Sequence, residues 1–422
     1  MIRRTDIELN NDQLEELLYG SNLGRNADIA DLVSVINEVD GSFSIFIDGA
    51  WGSGKTYFVK QTEIVLHALN EKLGDDKKEK IQNIKEFKGV SLSKNYYPVY
   101  YNAWEHDSDL DPLITLIGTL ASEMKSWDSK IGKNKGALII EVAASILGTI
   151  GIPINTAGIR DALGQNLLNA FNQEMETRKK FENLIDILIE DKADKLVLFI
   201  DELDRCSPAF AMKLLERIKF IFGYEKIIVV FSTNIGQLNN MVRKLYGEET
   251  DGRTYLSRFY DKRFHIRSIK GIEYISALVG VSDDTSWLST TVAEMSDRFT
   301  LRDCNRYLQE LERHLELKKE FSKDRNSYRV SYVPTVFWQI LTPILLAIKI
   351  ENPNLYRKII SGNGQEEFIA LVEKTNVYDL AHDYLFKMSL RDIYNECFLD
   401  DAYSELDYSF RGCALKFISK DK

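Results

Sequence analysis

The chain has 422 residues, 44% of them hydrophobic and 28% charged, which is enough for two or three domains with buried cores. A formal net charge of −10 argues against a protein that coats nucleic acid, and only a local basic patch could offset it. No C-x-x-C pair is present, so neither a zinc site nor a disulfide framework is indicated by Cys206, Cys304, Cys397 and Cys413. The polar start, MIRRTDIELNND, is unlike a secretory signal, and a reducing, cytoplasmic location is predicted.

Predicted strands alternate with predicted helices along the first 270 residues. Apolar runs rich in β-branched and aromatic residues predict strands at Gly41–Asp48, Tyr97–Asn102, Leu196–Ile200 and Ile227–Ser232. Amphipathic stretches predict helices at Thr56–Asn70, Leu113–Met124, Asp161–Asp191 and Pro208–Phe222. The lysine-rich segment Lys72–Lys94 is predicted to be a solvated surface insertion, helical or looped. This alternation is typical of an α/β protein whose parallel sheet is flanked by helices.

After residue 269 the strand-like runs end and the sequence is predicted to be helical. We therefore predict a core over residues 1–270 with a helical insertion at about 105–193, a helical lid over 271–323 and a helical C-terminal module over 324–422. Two apolar segments, Ala137–Ile159 and Val333–Ile348, are interrupted by proline and polar residues, and they fall short of the ~20 apolar residues that cross a bilayer. We expect buried or peripheral helices there, and the first could contact a membrane or a partner.

A glycine-rich loop, GAWGSGKT at Gly49–Thr56, follows the first predicted strand and opens the first predicted helix. It fits G-x-x-x-x-G-K-[ST], in which glycines let backbone N–H groups approach phosphate oxygens at a helix N-terminus. Lys55 should reach the β- and γ-phosphates, and the Thr56 hydroxyl should bind Mg²⁺. The loop residues predicted to bind the nucleotide are Gly49, Trp51, Gly52, Ser53, Gly54, Lys55 and Thr56.

A phosphate loop of this kind works with an acidic residue on another strand, and the run LVLFIDE supplies one. Its carboxylates emerge at the carboxyl end of a strand, where open α/β sheets bind their ligands. We predict that Asp201 holds Mg²⁺ through water and that Glu202 is the base that polarises the attacking water. Asp204 is the next candidate for the base.

These motifs together resemble the KAP family of P-loop NTPases. Members of this family typically carry a Trp inside the phosphate loop, as in GAWGSGKT, and an LGR element before an early helix, as at residues 23–25. An NAW signature follows the second strand, as at residues 102–104, and the acidic motif extends as in DELDRCSP at residues 201–208. The tail from about residue 324 resembles family tails only loosely.

The resemblance implies an ATPase in which an additional strand separates the phosphate-loop strand from the acidic strand. It places Arg25 near the nucleotide base, although a surface ion pair is the alternative from the residues alone. Many members carry an acid after the fourth strand, whereas this chain has Ser232-Thr233-Asn234. Thr233 or Asn234 is therefore the candidate sensor of the γ-phosphate, by likeness to AAA+ ATPases.

Three arginines are candidates for acting on the nucleotide. Arg258 and Arg263 lie where AAA+ relatives place an arginine that reaches a neighbouring subunit, and Arg302 lies where they place a sensing arginine. Surface ion pairing is the alternative for all three. Trp104 is expected to pack in the core, whereas Trp51 could pack in the core, cover the phosphates or contact a partner.

We expect a Mg²⁺-dependent ATPase that uses ATP and works as a homo-oligomer or with an effector protein. The resemblance suggests a switch or assembly role in a bacterial anti-phage or signalling complex. A membrane-associated scaffold ATPase is the first alternative, with membrane contact but no spanning segment. A nucleic-acid motor is the weaker one, because only Lys72–Lys94 approaches a basic stripe.

Overall fold

A computed structural model gives the structure of the protein and describes residues 11–20, 24–108, 111–125, 178–219, 223–279, 287–315, 332–385, 387–399 and 409–420. These residues fall into two compact units that divide after Arg267. The first is an α/β unit and the second is helical. The predicted segment Ala137–Ile159 and most of the predicted helix Asp161–Asp191 lie outside the described residues.

The first unit is built on a five-stranded parallel sheet. Its strands are β1 (Phe43–Asp48), β2 (Tyr96–Asn102), β3 (Lys195–Asp201), β4 (Ile227–Thr233) and β5 (Lys262–His265). They lie in the order β2-β3-β4-β1-β5, so β4 separates the strand before the phosphate loop from the acidic strand. The additional strand and the α/β class are therefore confirmed.

Helices cover both faces of this sheet. They are α1 (Asn11–Gly20), α2 (Arg25–Glu38), α3 (Lys55–Leu69), α4 (Lys78–Gln82), α5 (Pro112–Lys125), α6 (residues 178–189), α7 (Pro208–Lys219), α8 (Ile235–Tyr246) and α9 (Gly252–Leu256). Because side chains alternate along a strand, Phe46 packs towards α5 to α9 while its neighbours Ile45 and Ile47 pack towards α1 to α4. Two apolar layers therefore fix the sheet that carries the site.

The four predicted strands are all found, with their ends moved by one or two residues. The fifth strand, β5, was not predicted. Its sequence, KRFH, is polar and its residues are mostly exposed, because it pairs with β1 at the edge of the sheet. The lysine-rich segment after α3 forms the short helix α4 and a 3₁₀ turn at Lys85–Phe87, in agreement with a surface insertion.

The second unit contains only helices in the described part of the chain. They are α10 (Gly271–Val279), α11 (Trp287–Ser296), α12 (Leu301–His314), α13 (Tyr332–Val336), α14 (Thr342–Glu351), α15 (Pro353–Ile360), α16 (Gln365–Glu373), α17 (Asn376–Leu385), α18 (Leu390–Phe398) and α19 (Phe410–Ser419), with a π-helical turn at Phe337–Leu341. The predicted lid and C-terminal module pack together here, since Tyr307 Oη donates a 3.0 Å hydrogen bond to the Pro343 carbonyl. The predicted boundary at residue 323 lies outside the described residues.

None of the helices that the structure describes combines the length and the apolar character needed to cross a membrane. The predicted apolar segment Val333–Ile348 is split among α13, the π-helical turn and α14. Its side chains are largely buried inside the second unit.

Candidate functional site

The phosphate loop joins β1 to α3 and depends on glycine at three positions. Gly52 and Gly54 have φ angles of 77° and 86°, a region that residues with a Cβ rarely adopt. Gly49 is needed for space instead, because a Cβ there would lie 2.8 Å from Ser53 Oγ. The loop therefore curls tightly and ends at the N-terminus of α3.

Lys55 is the buried cation of the loop. Its Nζ donates hydrogen bonds of 2.6 and 3.1 Å to the carbonyls of Gly49 and Ala50. An ammonium carries three N–H donors, so one is left for a phosphate oxygen. Burial lowers the pKa of Lys55, and the nearby carboxylates, Asp204 first, oppose that shift.

Asp201 ends β3 and is 1% exposed. One of its oxygens accepts a 3.1 Å hydrogen bond from Tyr100 Oη, and the other accepts a 3.0 Å bond from the Glu202 N–H. The Tyr100 ring in turn lies 3.4 Å from Lys60 Nζ. These contacts, which the sequence did not predict, fix the orientation of the carboxylate that is expected to hold the metal.

Glu202 follows Asp201 in a left-handed conformation, with φ at 61°. This conformation is uncommon for a residue with a side chain and turns the chain sharply into the 3₁₀ turn Leu203–Arg205. Glu202 Oε2 forms a 2.6 Å ion pair with Arg205 Nε. Burial raises the pKa of Glu202, the charge of Asp201 raises it further, and Arg205 opposes both. The carboxylate is thus a stronger base than an exposed one.

Trp51 and Asp204 connect the phosphate loop to residues 201–205 at the end of β3, called here the acidic turn. Trp51 Nε1 donates a short hydrogen bond to Asp204 Oδ2, although 46% of the Trp51 surface is exposed. The other oxygen of Asp204 accepts a 3.3 Å bond from Thr233 Oγ1 at the end of β4. Trp51 is therefore not a core residue, and its indole is held by a hydrogen bond to Asp204.

The expectation for Trp104 was wrong. This side chain is 54% exposed rather than packed in the core. It begins the 3₁₀ turn after β2, and the Arg205 guanidinium lies 5.6 Å from its ring centroid. Both tryptophans of the signature therefore flank the turn that carries Glu202.

Arg25 is buried, with 6% of its surface exposed, so the interpretation as a surface pair was wrong. Its Nη2 donates a 2.7 Å hydrogen bond to the Ser53 carbonyl of the phosphate loop, and its Nη1 donates a 2.6 Å bond to the Arg267 carbonyl. Asp28, also buried, pairs with both Arg25 and Arg267. Arg25 thereby ties the loop to the last residue of the first unit.

We expect Arg25→Ala to lower the free energy of unfolding by about 1.5–3 kcal/mol, because a buried arginine loses its charge-assisted hydrogen bonds to two backbone carbonyls and its pairing with the buried Asp28. Urea denaturation measures this. The control is Arg243→Ala, which removes an exposed arginine that donates to the Glu248 carbonyl and should change stability by less than about 0.5 kcal/mol. Equal effects of the two substitutions would contradict the assigned role of Arg25.

The other predicted residues are placed as follows. Arg263 pairs with Asp48 of the same chain, as the surface-pairing alternative supposes, whereas Arg258 is exposed beside a groove on α7. Asn234 caps α8 by accepting a 3.2 Å hydrogen bond from the Gln237 N–H, so Thr233 is the candidate sensor that touches the acidic turn. Arg302 is exposed in the first turn of α12, in the second unit, and its action on the nucleotide stays a prediction.

A family model described as the KAP family P-loop domain matches residues 25–323. The chain belongs to this family. No curated protein matches the chain. The KAP domain is a P-loop NTPase domain, a class of domain that binds nucleoside triphosphates.

The residues at the site of this KAP domain fit a nucleoside triphosphate with Mg²⁺. Ser53 Oγ in the loop and Ser232 Oγ, in register with Asp201, are buried, and no hydrogen-bond partner lies near either in the described residues. Buried polar atoms without a partner point to a ligand. Thr56 and Asp201 could hold Mg²⁺, which usually takes few protein ligands and completes its shell with water and phosphate.

Proposed function

We propose that the protein binds ATP with Mg²⁺ and hydrolyses it. The observation that supports this most directly is the arrangement of β1, β4 and β3, which brings Lys55 of the phosphate loop and the pair Asp201 and Glu202 to one edge of the sheet. All three carboxylates of the acidic turn act on the Lys55 charge. A cationic loop beside a metal-holding acid and a base is the arrangement that phosphoryl transfer to water requires.

Each residue has a distinct part in this reaction. The loop N–H groups and Lys55 would bind and orient the phosphates. Thr56 and Asp201 would hold Mg²⁺, which would neutralise charge on the phosphate oxygens when bound. Glu202 takes a proton from the attacking water. Its Oε2 is held by Arg205, so Oε1 is the oxygen that would accept the proton. Tyr100 keeps Asp201 in place through the hydrogen bond described above.

We propose further that ATP turnover switches an assembly of identical chains or of this chain with an effector. Of the two arginines predicted to act on a neighbouring chain, Arg258 is the better placed, because it is exposed, whereas Arg263 is held by Asp48. We expect the ATPase rate per chain to rise with protein concentration and then saturate. In Arg258→Ala the rate should stay at the low-concentration value throughout, whereas Arg253→Ala, an exposed arginine on α9, should behave as the parent.

A mixing experiment sharpens this test. Arg258→Ala keeps its own loop and base, and Glu202→Gln keeps its arginine, so a mixture of the two should be several times more active than either alone. A rate per chain that is flat from the most dilute sample upwards, with no gain on mixing, would contradict action between chains.

The biological setting proposed for this switch is a bacterial anti-phage or signalling complex, because many bacterial KAP proteins resemble parts of such systems. Co-purification of a partner that depends on ATP would support it. Sedimentation of the native protein with membranes would favour the scaffold alternative. DNA binding that weakens steeply with salt would favour a nucleic-acid motor.

A further inference from the structure

Asp204 is a carboxylate that the proposed reaction does not use. It is 3% exposed, and a buried carboxylate is costly unless donors satisfy it. Its two donors come from two different elements, Trp51 of the phosphate loop and Thr233 at the end of β4. Asp204 itself belongs to the 3₁₀ turn that follows Glu202. One carboxylate therefore joins three parts of the site.

The contact with Trp51 is the unusual one. A half-exposed Trp in a loop gains little from burial, and Phe or Leu would fill the same space without a polar atom. The indole N–H is the group that Trp alone among the large apolar side chains supplies, and here it reaches a buried acceptor. Its neighbour Ala50 accepts from Lys55 Nζ, so the loop is held from both sides.

We propose that Asp204 is a positioning residue that couples the phosphate loop to the end of β4 and to the turn carrying Glu202. The coupling runs through hydrogen bonds from Trp51 and from Thr233, the candidate sensor at the end of β4. This inference rests on the proposed ATPase function. A shift of the loop on nucleotide binding moves the Trp51 indole, and the rigid carboxylate passes the shift to the Glu202 turn. Both Asp204 oxygens already accept protein donors, which suits positioning better than proton abstraction.

The test is a set of substitutions that remove the two hydrogen bonds of Asp204 one at a time or together. Trp51→Phe keeps an aromatic ring and loses the N–H, and Thr233→Val keeps the shape and loses the hydroxyl. Asp204→Leu keeps a similar size and removes both acceptor oxygens. Each should lower kcat about 10- to 100-fold, the range for a lost charge-assisted hydrogen bond, while the ATP dissociation constant changes less than about threefold. Thr233→Ser keeps the hydroxyl and should restore most of kcat.

Double substitutions test whether Trp51 and Asp204 act through their shared hydrogen bond or whether each substitution damages the site independently. Trp51→Phe combined with Asp204→Leu should be no slower than Asp204→Leu alone within about threefold, because Asp204→Leu already removes the bond that Trp51→Phe removes. A second readout is tryptophan emission in the Glu202→Gln protein, with Trp51→Phe added to identify the part that comes from Trp51 among the five tryptophans. ATP should change that part of the emission, and Asp204→Leu should reduce the change.

The outcomes are distinguishable from a failure of the proposed function. If the parent protein does not hydrolyse ATP, both proposals are overturned. If the parent hydrolyses ATP and Lys55→Ala does not, but the Trp51 and Asp204 effects multiply or Trp51→Phe matches the parent, the positioning inference alone is overturned.

Discussion

Replacing Lys55 by Ala should abolish measurable ATP hydrolysis and weaken ATP binding roughly 10- to 100-fold, the range expected for one charge-assisted hydrogen bond to phosphate. The side chain is buried in the loop, and its pKa is lowered by that burial. The cost of burying the ammonium offsets its hydrogen bonds to the Gly49 and Ala50 carbonyls, so its removal should leave the free protein about as stable as the parent. The substitution should therefore weaken ATP binding without lowering the stability of the free protein.

Thermal unfolding without Mg-ATP measures the stability of the free protein, and the gain in stability with Mg-ATP measures binding. The parent should gain about 2.7 kcal/mol at an ATP concentration 100 times its dissociation constant, and Lys55→Ala should gain far less at the same concentration. Lys72→Ala is the matched control, since Lys72 is a surface lysine paired with Asp194. If Lys55→Ala binds ATP as tightly as the parent, the assignment of the phosphate loop is wrong.

The sheet could be predicted because its inner strands are nearly continuous apolar runs. LVLFI in β3 and IIVVFS in β4 are buried on both faces, and such runs between glycine-rich or charged turns have few other interpretations. The edge strand β5 could not be predicted in this way. Its residues Lys262 and Arg263 face solvent, and backbone pairing with β1 holds it in the sheet. Backbone hydrogen bonds at an edge strand do not require apolar side chains, so the sequence of β5 lacks the apolar run that identifies an inner strand.

The candidate site also has parts that could be predicted from the sequence and parts that could not. The positions of Lys55, Thr56, Asp201 and Glu202 could be predicted, because the first two open the helix after β1 and the last two follow the apolar run of β3. Their roles toward a nucleotide stay predictions. The bond from Trp51 to Asp204 joins residues 153 positions apart, and neither residue type alone indicates it. The Glu202–Arg205 pair had a usable signal, since residues three apart in a turn face the same side. Trp104 was misassigned because aromatic residues after a strand usually pack inwards.

Glu202→Gln should lower the rate of ATP hydrolysis about 10²- to 10⁴-fold, the usual contribution of a general base, while ATP binding stays within about threefold of the parent. The amide oxygen can still accept from Arg205, so the turn should keep its shape. Asp201→Asn should behave differently, because weaker metal binding impairs both nucleotide affinity and turnover. Glu249→Gln, an exposed glutamate after α8, is the control and should match the parent in both measurements.

An equilibrium ATP titration beside a hydrolysis time course separates these residues. Because Glu202→Gln binds ATP without consuming it, this variant should accumulate in the ATP-loaded form. If the assembled state is the ATP-loaded one, the variant should also hold sister chains or partners longer than the parent, which gel filtration with ATP can measure. Hydrolysis by Glu202→Gln at the parent rate would mean that the base lies elsewhere. Asp204 would then be the next residue to test, and its two protein donors would have to release it before it could take a proton.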